Sequence, residues 1–306
     1  MTKPRSVVIY GVSGTTKTSQ AYHLVKWILA KPENKGKYFR VIHSDGGGWA
    51  PFDDSGMVER KEVRIFDFGA LRSGVLSRFR WLAEGYWPRY TKSGELFFQK
   101  TDQCKTTEEQ WGQCAGYLIE GIESTCEALK NHCSDQTEGI GFKESWKYEE
   151  DGETIVGLQQ GHYGIVQKEF HKAHHKGFNC LPIPWLIYTS KLGKGEDKER
   201  RETVYGPQIV GNAVTSSSPG WFMDVIHMSK EKYKNSKGED VEGMVAWFMQ
   251  HNDHETEVPY LCKARVMPEI FPKLMQQFPY GFVPMGFKRG IDVYFETLER
   301  LKYGEL

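Results

Sequence analysis

The chain has no excess of charge of either sign. Its 306 residues hold 40 Lys and Arg against 40 Asp and Glu, a net charge of zero with His neutral. That balance excludes a protein that coats nucleic acid through the field of its whole surface and leaves only a local basic groove. No run of about 18 apolar residues is present, so no membrane span is expected. The opening stretch MTKPRSVVIYG is too poor in apolar residues for a secretory signal, which points to a cytoplasmic protein. Cysteine is sparse: Cys104, Cys114, Cys126, Cys133, Cys180 and Cys262, with no C-x-x-C pair and no histidines at zinc-finger spacing. Reduced, mostly buried thiols are expected, not a disulfide framework or a zinc site. His162, His171, His174 and His175 are expected on the solvated face of a helix. Internal repeats and a splitting linker are also missing. At ~150 residues per domain the length allows one large domain or two small ones, and the missing linker favours one domain with insertions.

What is present is an alternation of strands and helices. Val7–Tyr10 reads as a buried strand, and Thr18–Ala30 has helical apolar spacing that ends at Pro32. Phe39–His43 and Val63–Phe66 read as further strands, with a helix from about Leu71 to Gly85. Residues 86–112 form a polar, aromatic insertion with a hairpin at Lys92-Ser93-Gly94. The sheet resumes at Tyr117–Ile119, and a helix follows over Ser124–His132. A second insertion spans about 135–157, with a turn at Asp151-Gly152. A helix over His162–His174 leads to a buried strand at Pro184–Thr189. Residues 191–203 read as a mobile charged loop and Trp221–Met228 as a strand. Met244–Gln250 and Tyr260–Val266 read as a hairpin, and Ile291–Leu301 as a closing helix. This grammar predicts an α/β fold whose mostly parallel sheet is flanked by helices. Its core covers about 5–228 and its C-terminal extension 229–306.

The informative segment is Gly11-Val12-Ser13-Gly14-Thr15-Thr16-Lys17-Thr18, set between a strand and a helix. It matches the phosphate-loop pattern G-x-x-x-x-G-K-[ST] at every fixed position but one. Such a loop turns backbone N–H groups inward as a nest for phosphate oxygens, and the helix N-terminus adds a positive dipole end. Lys17 is then the phosphate-binding cation, and Thr18 offers its hydroxyl to Mg²⁺. The departure is Thr16, which stands where the pattern has glycine. A β-branched residue is strained there if the position needs positive φ.

Hydrolysis also needs a second acid near Mg²⁺ and a group that orients water. Tyr117-Leu118-Ile119-Glu120 is an apolar strand ending in a carboxylate, far enough downstream for one intervening strand. Glu120 is the candidate for the Mg²⁺ side. Glu123, Asp67 and Asp45 are candidates to orient water, the last two because they end strands at the ligand-binding edge of an open sheet. Thr189 and Ser190 end another strand, where hydroxyls suit a γ-phosphate sensor. Trp81, Tyr86, Trp87 and Tyr90 flank the first insertion, as packing residues or as platforms for single-stranded bases.

The order of these parts resembles the RecA-like ATPases, most closely the small bacteriophage versions that act in DNA recombination or annealing. The residues behind the resemblance are the phosphate loop, Ser44-Asp45-Gly46-Gly47, the strands ending in Glu120 and in Thr189-Ser190, and Tyr205-Gly206-Pro207 through Gly211-Asn212-Ala213. The last segment follows that family's G-P-x-x-x-G-x-A pattern, although Asn212 falls where related phage proteins can carry a basic residue. The resemblance implies ATP and Mg²⁺ as cofactors, a homo-oligomeric ring or filament, and contact with single-stranded DNA. Lys191, Lys194, Arg200 and Arg201 are then candidates to meet DNA or a neighbour's nucleotide. Two other readings remain open from the residues. One is a nucleotide or small-molecule kinase with 191–203 as its lid. The other is a nucleotide-binding or degenerate phage protein of structural or packaging-associated role.

Overall fold

The computed structural model describes residues 3–44, 49–71, 73–135, 146–150, 153–157, 160–197, 199, 201–209, 212–235, 237–286 and 289–305. The chain begins with β1 (Arg5–Gly11) and α1 (Lys17–Ala30), then β2 (Tyr38–His43), α2 (Ala50–Asp54), β3 (Val63–Asp67) and α3 (Val75–Ala83). The first insertion carries β4 (Arg89–Tyr90), β5 (Leu96–Phe97) and α4 (Glu108–Gly112). The sheet resumes with β6 (Cys114–Glu120) and α5 (Ile122–Asp135). The second insertion is the hairpin of β7 (Trp146–Glu150) and β8 (Glu153–Gly157), whose turn lies outside the described residues. Then come α6 (Gln160–Lys176), β9 (Trp185–Asp197), β10 (Glu202–Pro207), α7 (Asn212–Ser217) and β11 (Asp224–Lys234). The chain closes with β12 (Asp240–Trp247), β13 (His251–Asn252), β14 (Pro259–Tyr260), α8 (Phe271–Gln277), β15 (Phe282–Pro284) and α9 (Asp292–Lys302).

Eleven of the described strands form one mixed sheet. Its central block runs β3-β2-β6-β9-β1-β11, and every pairing in that block is parallel. Antiparallel β12 and β15 extend it beyond β11. The protein is thus α/β, with a large, mostly parallel sheet flanked by helices. β1 lies mid-sheet and is covered on both faces, which is why its sequence is a nearly unbroken apolar run. Its alternate residues feed two cores. Val8 and Tyr10 pack with Phe79 of α3, Leu129 of α5 and Phe170 of α6. Val7 and Ile9 pack with Leu24 of α1 and with Tyr294 and Leu298 of α9. The C-terminal extension therefore shares the core of the central sheet. Among the described residues, no helix is long and apolar enough to cross a membrane.

Several elements differ from the sequence expectation. Within the expected loop, residues 191–197 continue β9, which pairs with β10 from Glu202 as a two-stranded ribbon. The strand expected at Trp221–Met228 begins at Asp224, after a 3-10 turn over Ser218–Trp221, and runs on to Lys234. Its hairpin partner is β12, whereas Tyr260 pairs with His251 and Tyr205, so 244–250 and 260–266 do not form a hairpin with each other. The helix expected from Leu71 starts at Val75, after Gly74 at φ 61°. His174 is not solvated: it is 1% exposed. The Trp221 carbonyl accepts from its Nε2 (3.0 Å), which leaves Nδ1 to accept from the Tyr188 hydroxyl (2.9 Å). Cys104, Cys114 and Cys126 are buried free thiols, while Cys180 is exposed.

Candidate nucleotide site

The parallel block sets the ends of β1, β9 and β6 side by side at the carboxyl edge, where open α/β sheets receive ligands. Gly11 pairs with Lys191 of β9 on one side and Met228 of β11 on the other. A Cβ on Gly11 would lie 2.5 Å from the Met228 carbonyl oxygen, so the loop leaves the sheet through a gap that only glycine fits. The loop then turns through two left-handed residues, Gly14 at φ 83° and Thr16 at φ 57°. The second is the position where a glycine was missing from the pattern, and it has the positive φ that makes a β-branched residue strained.

One carbonyl organises the loop. Val12 O accepts from Thr15 N (3.3 Å), from Thr15 Oγ1 (2.8 Å) and from Lys17 Nζ (2.8 Å). Helix α1 begins at Lys17 with no side-chain cap on Thr16 and no acid in its first turn. Its first-turn N–H groups have no intrahelical acceptors, so the positive end of the helix faces the loop.

Thr18 and Glu120 are brought together across 102 residues of sequence. The Thr18 hydroxyl donates to Glu120 Oε1 at 2.9 Å. Glu120 is 6% exposed, and the Thr189 hydroxyl contacts the same oxygen at 3.4 Å. Thr189 in turn accepts from Gly121 N at 2.9 Å, so the ends of β6 and β9 are tied together. One strand, β9, separates the strand of the loop from that of the acid, and it follows both of them in sequence. The Ser190 hydroxyl donates to the Gln208 carbonyl (2.8 Å) and so anchors the next segment.

Glu123 opens α5 beside the loop. Its carboxylate accepts from Lys191 N (3.1 Å) and lies 3.8 Å from Lys191 Nζ. Burial pushes its carboxyl above the ordinary range, against the pull of Lys191 and Lys17. Asp67 is elsewhere. It ends β3, four strand spacings or about 19 Å from β1. There it caps Ala70 N at 2.9 Å. The fold does not bring it to the phosphate loop. Asp45 and Arg200 lie outside the described residues. Lys194 is exposed on the β9 ribbon, and Arg201 is exposed next to β10 at φ 55°.

Two features beside the loop have no signature in the sequence. A cavity of about 490 Å³ runs from Thr16, Ser19 and Gln20 to Tyr233, Met244 and Met285. Next to Tyr10, the rings of Trp247, His251, Tyr260 and His227 stack in series, with His251 3.9 Å from Trp247 and His227 4.1 Å from Tyr260. Burial and the neighbouring His251 hold the His227 imidazole well below its usual pKa, so this wall of the site is neutral. These residues come together only through the C-terminal strands, and no local spacing announces them. No protein-family model matches the chain, and no curated protein sequence matches it.

Proposed function

We propose that the chain is a Mg²⁺-dependent nucleoside triphosphatase of the RecA-like kind, phage-encoded, that couples ATP hydrolysis to recombination or annealing of single-stranded DNA. The observation that carries this reading is the 2.9 Å contact between the Thr18 hydroxyl and the Glu120 carboxylate, directly beyond a left-handed loop that ends in Lys17. Two hard oxygen donors at the mouth of a phosphate loop fit Mg²⁺. The residues also fit a triphosphate: a cation, an uncapped helix N-terminus and a glycine gap for close approach. Bound Mg²⁺ supplies neutralisation of charge on the phosphate oxygens.

Each residue then has a task. Lys17 exchanges the Val12 carbonyl for phosphate oxygen, Thr18 offers its hydroxyl oxygen to the metal, and Glu120 holds the metal's water shell. Thr189 fixes the Glu120 carboxylate. Glu123, partly buried and held by Lys191 N, orients the attacking water. The cavity between α1 and Tyr233 receives base and ribose. Arg201 lies about 20 Å of extended strand beyond Lys191, beyond reach of its own chain's loop. In this reading Arg201 meets the nucleotide of a neighbouring copy in a homo-oligomer. The ribbon of β9 and β10 is paired along its length, which favours hydrolysis over the lid of a kinase.

The test is ATP turnover by the wild type and by Lys17→Ala, each with and without single-stranded DNA. Turnover that single strands stimulate and Lys17→Ala abolishes supports the reading. Phosphate transfer to a nucleoside monophosphate, or no turnover at all, overturns it.

A further inference from the structure

A second concave site lies at the far edge of the sheet, beside edge strand β3 and under the first insertion. It encloses about 510 Å³, within the size range of ligand sites. Arg40, Lys61, Arg64 and Arg89 line it, and no Asp or Glu does. Among the described residues, none of these four cations forms an ion pair. In a chain of zero net charge this is a local concentration of uncompensated positive charge.

Arg40 is the most telling. It is 1% exposed, yet its guanidinium donates only to hydroxyls: Thr106 Oγ1 (2.8 Å), Tyr117 OH (2.5 Å) and Tyr38 OH (3.4 Å). Its buried Nε has no acceptor. A buried charge without a carboxylate is destabilising. The rings of Trp87 (4.8 Å) and Trp111 (5.1 Å) offset part of that through their faces. The remainder is a positive potential in the cavity wall. Two of the other cations carry further observations. Arg64 sits 3.6 Å over the Tyr38 ring, and Lys61 has a left-handed backbone at φ 61°, one of four non-glycine residues so placed. Backbone strain of this kind gathers at functional positions, and Thr16 in the phosphate loop is another of the four. The wall also offers aromatic surface in half-buried Trp87 and in Tyr90, which is 59% exposed.

We infer that this cavity binds one nucleotide unit, with its phosphate among Lys61, Arg64 and Arg89 and its base against Tyr90. Arg40 adds field from beneath. Cations that track phosphate beside a stacking ring are the chemistry by which proteins hold single strands. The unit comes either from a strand or from a free nucleotide, and both present the same groups. The inference does not rest on the phosphate loop, which lies at the other strand ends and has its own readout.

The test uses the full chain and a fluorescently labelled oligothymidylate, competed by thymidine 5′-monophosphate or by inorganic phosphate. Arg64→Glu combined with Arg89→Glu changes two exposed residues, and Lys237→Glu, exposed at the β11–β12 turn, is the charge control. The double variant is expected to weaken oligomer binding by roughly tenfold or more and to flatten its salt dependence. The control stays near wild type, and ATP turnover without nucleic acid is unchanged in both variants. Tyr90→Ala weakens the oligomer and the monophosphate but not inorganic phosphate. An oligomer that outcompetes the monophosphate identifies a strand as the source, and equal competition identifies a free nucleotide. Wild-type affinity in the double variant, with its urea midpoint intact, overturns the site, as does failure of every probe to bind the wild type.

Discussion

At the scale of the residue, Thr16 and the two glutamates separate strain from chemistry. A left-handed β-branched residue costs about 1–2 kcal/mol. Thr16→Gly is expected to raise stability by roughly 1 kcal/mol, or about 2 °C in thermal midpoint, with nucleotide affinity kept. Calorimetry checks this, and an unchanged or lower midpoint contradicts strain at φ 57°. Glu120 and Glu123 lie three residues apart but have different partners, Thr18 for one and Lys191 N for the other. Glu123→Gln is expected to lower kcat by about 100-fold or more while leaving nucleotide affinity intact. Glu120→Gln is expected to raise the Mg²⁺ concentration needed for half-maximal turnover. If both variants shift only the Mg²⁺ requirement, Glu123 does not orient water. Buried histidines set a pH response, His227 among them, since burial holds it well below its usual pKa. Burial holds His174 and His251 at a pKa of about 4 in the folded chain, whereas the unfolded chain protonates them near 6.5. The unfolded state binds more protons between those values, so stability falls as the solution is acidified from about pH 6.5 towards 4. The loss is about 1.4 kcal/mol per pH unit for buried His174 and less for partly exposed His251. Urea midpoints at pH 7 and pH 5 measure it, and equal midpoints contradict the assignment.

At the scale of the element, the central strands are longer than their apolar runs. The sequence reading ends one strand at Thr189 and another at Met228, within a residue of where unbroken burial ends. The chain instead continues as paired ribbons, β9 with β10 and β11 with β12. Backbone pairing holds these extensions while charged side chains alternate outward, so hydrophobic periodicity cannot reveal them. Strand order was less legible: β9, which separates the loop strand from the strand of Glu120, follows both in sequence, so their spacing could not name it. The position of that acid depends on tight packing beneath it. A Cβ on Gly116, in the middle of β6, would lie 2.5 Å from the Phe39 ring and 2.6 Å from the Trp185 carbonyl oxygen. Gly116→Ala is expected to destabilise the chain by about 2 kcal/mol, read as a lower urea midpoint at unchanged slope. A neutral effect contradicts the close approach of β6 to β9.

At the scale of the whole molecule, the balanced charge of the sequence conceals a sorted arrangement. The phosphate loop combines one lysine with two glutamates at the carboxyl edge. The cavity beside β3 is lined by four cations and by no Asp or Glu. The loop was legible because its residues are contiguous and a strand and a helix bracket it. The second cavity was only half legible: Trp87 and Tyr90 stood out as aromatic, but Arg40 and Arg64 belong to strands that meet only in the sheet. The cavity at Tyr233 was not legible at all, because the C-terminal strands that build it are remote from the loop in sequence. The account's central claim is that Lys17, Thr18 and Glu120 form one Mg²⁺-dependent triphosphate site. The most direct measurement is equilibrium binding of a fluorescent ATP analogue to the wild type and to Lys17→Ala, with Mg²⁺ and with chelator. The account predicts binding by the wild type that strengthens with Mg²⁺, and a loss of roughly tenfold or more in Lys17→Ala. Equal binding by the two proteins, or no binding by the wild type, would contradict it.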